Sequence, residues 1–147
     1  MSRLLLLSGP NLDLLGSRSP EIYGSMTLGE HVERVRALGA TLSIDVTHLQ
    51  SNAESELIDA VHQARGNFDA IVINAGALTH YSWSLRDALD AFDGIKVEVH
   101  LSNPAAREGF RQRSTLAGVV DGTIAGFGQL SYDLAVAAVG DLLSARE

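Results

Sequence analysis

Three short apolar runs in this chain end on side chains suited to proton transfer or to holding an acid. Leu4 to Leu7 runs into Ser8-Gly9-Pro10-Asn11, and Ala70 to Ile73 runs into Asn74 and on to Thr79-His80. Ile95 to Val99 carries Glu98 and runs into His100-Leu101-Ser102-Asn103. His80 and His100 stand at the strand ends, where acid/base or hydrogen-bonding work is the chemistry an imidazole offers. Metal binding is the weaker reading, because no third histidine lies at close ligand spacing. His31, His48 and His62 read as helix or strand surface positions. A long loop after the first run adds Arg18 and Tyr23. Taken alone, these two favour a solvated charge and a ring that packs the loop down.

The runs alternate with amphipathic segments. After the first strand, a Gly/Pro/Ser-rich connection extends from Ser8 to about Met26, and an 18-residue loop of this kind often forms a lid or binding loop. Thr27 with Glu30 makes a capping-box pattern for a helix carrying Val32, Val35 and Leu38, with Gly39 expected to end it. Leu42, Ile44 and Val46 alternate as in a half-exposed strand. Ser51 or Asn52 is the expected cap of a helix to about Ala64, with Leu57, Ile58 and Val61 inward. Ala70–Ile73 is a continuous apolar run, as in a parallel strand covered on both faces. Ser82 is expected to cap a helix carrying Leu85, Ala88, Leu89 and Phe92. Strands at 95–99 and 119–125 and a helix over 130–143 complete the chain.

Five strands alternating with helices predict an α/β fold, a three-layer sandwich around a parallel sheet in the flavodoxin-like order 2-1-3-4-5. One domain, 1–147, is expected, with no internal repeat or linker. In such a sheet ligands bind beyond the carboxyl ends of the strands, near the switch in strand order. Strands one, three and four are neighbours in that order, so their polar ends should converge.

Composition narrows the function. The 147 residues are 46% hydrophobic and 20% charged, enough for one packed core. A net charge of −7 argues against nucleic acid, whose binding rests on Lys and Arg neutralising phosphates. There are no cysteines, which removes disulfides, thiolate metal sites and cysteine nucleophiles. The leucine run near the N-terminus is cut by Gly9-Pro10 and is too short for a signal sequence, and nothing approaches a membrane span. The cytoplasm is the expected compartment. Lys96 is the sole lysine.

The motifs in register along the chain are the stretch Gly9 to Gly24 (GPNLDLLGSRSPEIYG), Gln50-Ser51-Asn52, Ile73 to His80 (INAGALTH), Leu85-Arg86-Asp87-Ala88, Glu98 to Pro104 (EVHLSNP), Ala106-Arg107-Glu108 and Phe110-Arg111. Together they resemble the type II 3-dehydroquinate dehydratases, from the first strand to the last helix. The resemblance implies a flavodoxin-like fold. It also implies a trans elimination of water through an enolate, with no metal or organic cofactor. It implies Tyr23 as the base beside the ketone, with Arg18 as its matching cation. A tyrosine hydroxyl with its ordinary pKa of about 10 needs roughly 4 kcal/mol of help to act near neutral pH, which a cation in a closed site can largely supply. Asn11 would hold a water that stabilises the enolate. His100 would protonate the departing hydroxyl, with Glu98 orienting it. Asn74, Leu101 and Ser102 would grip the substrate carboxylate, and His80 and Arg111 would bind ring hydroxyls. Asp87 would reach into a neighbouring subunit's site, implying a trimeric unit and commonly a dodecamer.

Some positions depart from the family pattern. Ala75 stands where Pro is usual, Asp13 where Asn is common, Ser19 where an acidic or amide residue is usual, and Ala105 where a His or aromatic is frequent. The stretch Gly126 to Tyr132 lacks its last Gly. These bear on rate, lid closure and assembly rather than on the reaction. Lys96 precedes the fourth strand's core, at the sheet end away from the expected site, which argues against a Schiff-base mechanism. Arg107 and Arg113 suit either salt bridges or substrate contact, and salt bridges are the favoured reading. The rival readings are a binding module on the same frame, and a flavin or phosphorelay protein sharing only the fold.

Overall fold

The computed structural model describes residues 1–147. Five parallel strands form the sheet: β1 (Ser2–Ser8), β2 (Ile44–Gln50), β3 (Ala70–Asn74), β4 (Ile95–His100) and β5 (Gly122–Ala125). Their order is β2-β1-β3-β4-β5, as the alternation of elements predicts. Ser8 lies in register with Asn74 on one side and Gln50 on the other, so the chain leaves β1 and β3 at the same height.

The helices are a single turn α1 (Pro20–Tyr23), then α2 (Leu28–Thr41), α3 (Glu54–Ala64), α4 (Trp83–Asp90) and α5 (Gln129–Ala145). Side chains alternate across a strand, so the two faces of β1 feed separate cores. Leu4 and Leu6 pack with Val35, Val136 and Tyr132 under α2 and α5. Leu5 and Leu7 pack with Leu57, Leu85 and Leu89 under α3 and α4. The buried runs of β1 and β3 follow from being covered on both sides.

Thr27 and Glu30 form the expected capping box, and the Ser82 hydroxyl accepts from the Leu85 amide as expected. Gly39 does not end α2. It is buried inside the helix, where an added Cβ would lie 2.9 Å from Val46 Cγ2 and 3.0 Å from the Ile44 carbonyl oxygen. The glycine is there for close helix–strand packing, and α2 runs on to Thr41. Neither Ser51 nor Asn52 caps α3, whose cap position is Ala53. The Ser51 hydroxyl accepts from the Ala53 amide and donates to Glu56, while Asn52 Oδ1 accepts from the Asn11 amide. Leu42 falls outside β2 and is exposed, Phe92 is buried just beyond α4, and β5 begins at Gly122, because Ala117–Val119 forms a short turn. The long loop after β1 is not structureless, since it contains a turn at Leu12–Leu14 as well as α1.

The crossing of the loops after β1 and β3 is the tightest contact in the fold. An ideal Cβ on Gly9 would sit 2.3 Å from the Ala75 carbonyl oxygen. The Gly9 amide donates to the Asn74 carbonyl at 2.8 Å. Only glycine fits where the loop carrying Asn11 crosses the backbone at Asn74-Ala75. Gly9→Ala should therefore destabilise the fold by about 1–3 kcal/mol, as overpacking does, and lower turnover with it. Chemical denaturation and a rate assay of the same variant check both effects.

Candidate active site

A cleft opens over the carboxyl ends of β1, β3 and β4, where the switch in strand order places it. Nine of the sequence-expected residues line it: Asn11, Arg18 and Tyr23 from the first loop, Asn74 and His80 after β3, and His100, Leu101, Ser102 and Arg111 after β4. Its enclosed free space is about 50 Å³. That holds a few waters but not a ring acid, so the lid residues lie packed down over the cleft.

Glu98 does not line the cleft but stands behind it, 1% exposed. A carboxylate so far from water needs partners. Its Oε2 accepts from His100 Nε2 at 2.5 Å. The Ser114 hydroxyl donates to both oxygens, at 2.9 and 3.0 Å, and Thr123 of β5 lies 3.5 Å from Oε1. With Nε2 committed to Glu98, Nδ1 is the ring nitrogen of His100 left for the cleft. For Nδ1 to give up a proton while Nε2 donates to Glu98, the ring must carry one on each nitrogen.

His80 is fixed in the same way. Its Nδ1 lies 2.8 Å from the Arg113 carbonyl, which can only accept, so Nδ1 carries a proton and Nε2 is the nitrogen left for the cleft. Asn74, 4% exposed, has its Oδ1 against the Gly76 amide at 3.3 Å and its Nδ2 against the Tyr132 hydroxyl at 3.4 Å. Burial pushes the Tyr132 hydroxyl pKa up, against the opposing hydrogen bonds from Asn74 and Ser8. Ser8 in turn contacts His48 Nε2 at 2.9 Å. Desolvation lowers the pKa of His48, with the Arg36 charge adding to the effect. His48 is thus a half-buried network member rather than a surface residue.

The Tyr23 ring lies between two guanidinium groups, Arg18 at 4.8 Å and Arg107 at 5.0 Å from its centroid. Both cations lie within cation–π range of the ring face. Arg107 forms the expected ion pair and also faces the cleft. Its Nε lies 3.8 Å from Glu108, while Nη1 donates to Ser102 at 3.3 Å and the side chain lines the cleft. Glu108 is held more closely by Arg111 at 3.0 Å, the hydrogen bond that chiefly lowers its pKa. Arg113 contributes its carbonyl. Asn11 takes up a left-handed conformation, φ 69°, which an asparagine tolerates better than most residues.

Four placements stand apart. Asp87 is exposed on α4 and does not line its own chain's cleft. Ser114, which clamps Glu98, carried no sequence signal beyond a serine in an irregular stretch. His31 is buried at 3% exposure against the Tyr132 ring, not on the helix surface as read, and desolvation lowers its pKa. Lys96 is bound by its Nζ to the Leu89 carbonyl and is not in the cleft. No group of three or more His, Cys, Asp and Glu side chains is placed to hold a metal ion.

Comparison with known proteins places the whole chain rather than single residues. The family model "Dehydroquinase class II" matches residues 2–140. A catabolic 3-dehydroquinase of Phaeosphaeria nodorum is 53% identical over 133 residues, covering 90% of this chain and 88% of that protein. A 3-dehydroquinate dehydratase of Tolumonas auensis is 50% identical over 136 residues, covering 92% and 90%. A solved type II dehydroquinase from Propionibacterium acnes superposes with a TM-score of 0.93 at 39% identity, covering 96% of this chain and 97% of the other. The sheet order, the cleft and these likenesses agree, and the chain belongs to the class II dehydroquinase family.

Proposed function

We infer that this chain is a hydro-lyase that removes water from 3-dehydroquinate to give 3-dehydroshikimate through an enolate, in the shikimate or the quinate pathway. The observation that carries the reading is a phenol flanked by two guanidinium ions, in one cleft with a histidine backed by a buried carboxylate. A base and an acid of different type are what a stepwise elimination needs.

Tyr23 Oη takes the proton from the carbon beside the ketone, and the C–H electron pair moves into the enolate. Asn11 holds the water that hydrogen-bonds the enolate oxygen. The enolate then collapses to form the carbon–carbon double bond as the C–O bond breaks. His100 Nδ1 gives its proton to the departing hydroxyl, and Glu98 keeps the ring oriented and its charge balanced. Asn74 with Leu101 and Ser102 holds the carboxylate, and His80 and Arg111 hold ring hydroxyls. Arg107 joins Arg18 in stabilising the phenolate. The lid from Arg18 to Tyr23 lifts to admit the ring and closes over it, which excludes water.

Residues 1–147 act as one catalytic domain in the cytoplasm, assembled as trimers and further into a dodecamer. Asp87 completes a neighbour's site. Its exposure, its absence from its own cleft and the exposed Tyr81 and Trp83 beside it support that role.

Purified protein given 3-dehydroquinate should produce the ultraviolet absorbance of a conjugated enone. Borohydride added with substrate should leave the activity intact. No enone from folded protein, or borohydride inactivation through Lys96, would overturn the reading. The subunit contact has its own test. Asp87→Ala and His100→Ala variants, each nearly inactive, should regain activity when unfolded and reassembled together. About a quarter of the sites would then combine an intact His100 with a partner's intact Asp87. Mixtures no more active than either variant would place Asp87 outside the reaction.

A further inference from the structure

Beside the catalytic cleft lies a second and larger cavity, about 480 Å³ in volume. Leu101 and Ser102 after β4 form part of its wall, with Gly128 and Gln129 at the start of α5 and His31 from the first turn of α2. Tyr23 and Arg107 line both this cavity and the cleft, so they form the partition between them. No step of the elimination uses this space.

Its polar atoms are unpaired. His31 is 3% exposed and neither ring nitrogen has a hydrogen-bond partner. Arg107 Nε is buried without one as well. Folded proteins seldom leave such groups unsatisfied. No side chain caps α5, so the positive end of a 17-residue helix faces the same cavity. The nearby carboxylates are already engaged: Glu30 in the Thr27 cap, Asp133 by Arg34 at 2.7 Å, and Glu108 by Arg111. Arg107 and the helix end contribute positive potential there, opposed by the Glu30 and Asp133 charges beside His31 and by Glu108, 3.8 Å from Arg107 Nε. Burial keeps the His31 ring neutral, with one N–H and one lone pair, so an occupant meets it best with both an acceptor and a donor.

We propose that this cavity binds a small oxyanion that also carries a hydroxyl, accepting from Arg107 Nε, the His31 ring and the Gln129 amide that opens α5, and donating to the other His31 nitrogen. Hydrogenphosphate has that chemistry, and so does the hydroxylated ring acid the enzyme forms. The size of the cavity admits either. An occupant braces Tyr23 and Arg107 from behind and so alters lid closure and KM.

The test is the thermal midpoint at constant ionic strength, with phosphate and 3-dehydroshikimate titrated separately into native protein, His31→Leu and Asn74→Ala. At least one ligand should raise the native midpoint saturably, by at least about 4 °C when well above its Kd. The rise should persist in Asn74→Ala and vanish in His31→Leu. Without ligand, His31→Leu should melt no lower than the native protein and keep kcat within about twofold, because the change removes unpaired nitrogens outside the catalytic set. A response to phosphate alone names phosphate as the source, and a response to the ring acid alone names the acid. The phosphate arm stands even if the dehydratase reading fails. If His31→Leu does not fold, the His31 imidazole resonances of native protein should shift with ligand. The proposal is overturned by no saturable rise, by a rise that survives His31→Leu or disappears only in Asn74→Ala, or by unmoved His31 resonances.

Discussion

One carboxylate with almost no access to water organises the catalytic end of the molecule. Glu98 sits at the centre of the sheet's carboxyl edge, and leaving it charged there requires that every oxygen find a donor. His100 supplies one from the same strand, Thr123 one from β5, and Ser114 one from the segment between them. Satisfying the charge thus fixes the imidazole, the neighbouring edge strand and an irregular connection in a single arrangement. Ser114 also accepts from the amides of Leu116 and Ala117, which extends the clamp into the turn that follows. The adjacent Arg113 carbonyl then holds His80. Two histidines far apart in sequence are oriented from one short stretch.

The other half of the cleft rests on sterics. Gly9 lets the loop after β1 cross directly over the backbone after β3, and Gly76, at φ 60° and 2.9 Å from the Pro10 carbonyl oxygen by the same measure, completes the crossing. That crossing places Asn11 above Asn74. The remainder of the first loop then lies back across the cleft, with Tyr23 between two cations and little free space beneath. The arrangement is poised rather than open. The tyrosine sits between two guanidinium groups, in a space that substrate must enlarge.

Much of this was legible in the sequence because the signals were local or periodic. The two-sided burial of β3 follows from an unbroken apolar run, and the Thr27–Glu30 box and the Ser82 cap follow from residue spacing. The convergence of three strand ends followed from the strand order those patterns implied. What escaped were contacts between distant segments. Gly39 carries the same signal whether it ends a helix or packs under one, and only the neighbouring Val46 decides. A histidine at the start of α2 looks like a surface residue until α5 covers it. Arg107, with a glutamate next in sequence, reads as an ion pair and forms one, but only the fold shows the aromatic face that the loop lays over it as well. Ser114 has no local pattern at all, because its role is set by a carboxylate sixteen residues earlier.

The central claim is that Tyr23 removes the proton. Its most direct test is steady-state turnover of 3-dehydroquinate by Tyr23→Phe, read as enone absorbance, beside calorimetric binding of a substrate analogue that cannot eliminate. Loss of general-base catalysis should lower kcat by about 10²–10⁴-fold, while the analogue binds within about threefold of its native affinity. A kcat that survives the substitution would contradict the account, since the base would then lie elsewhere in the cleft.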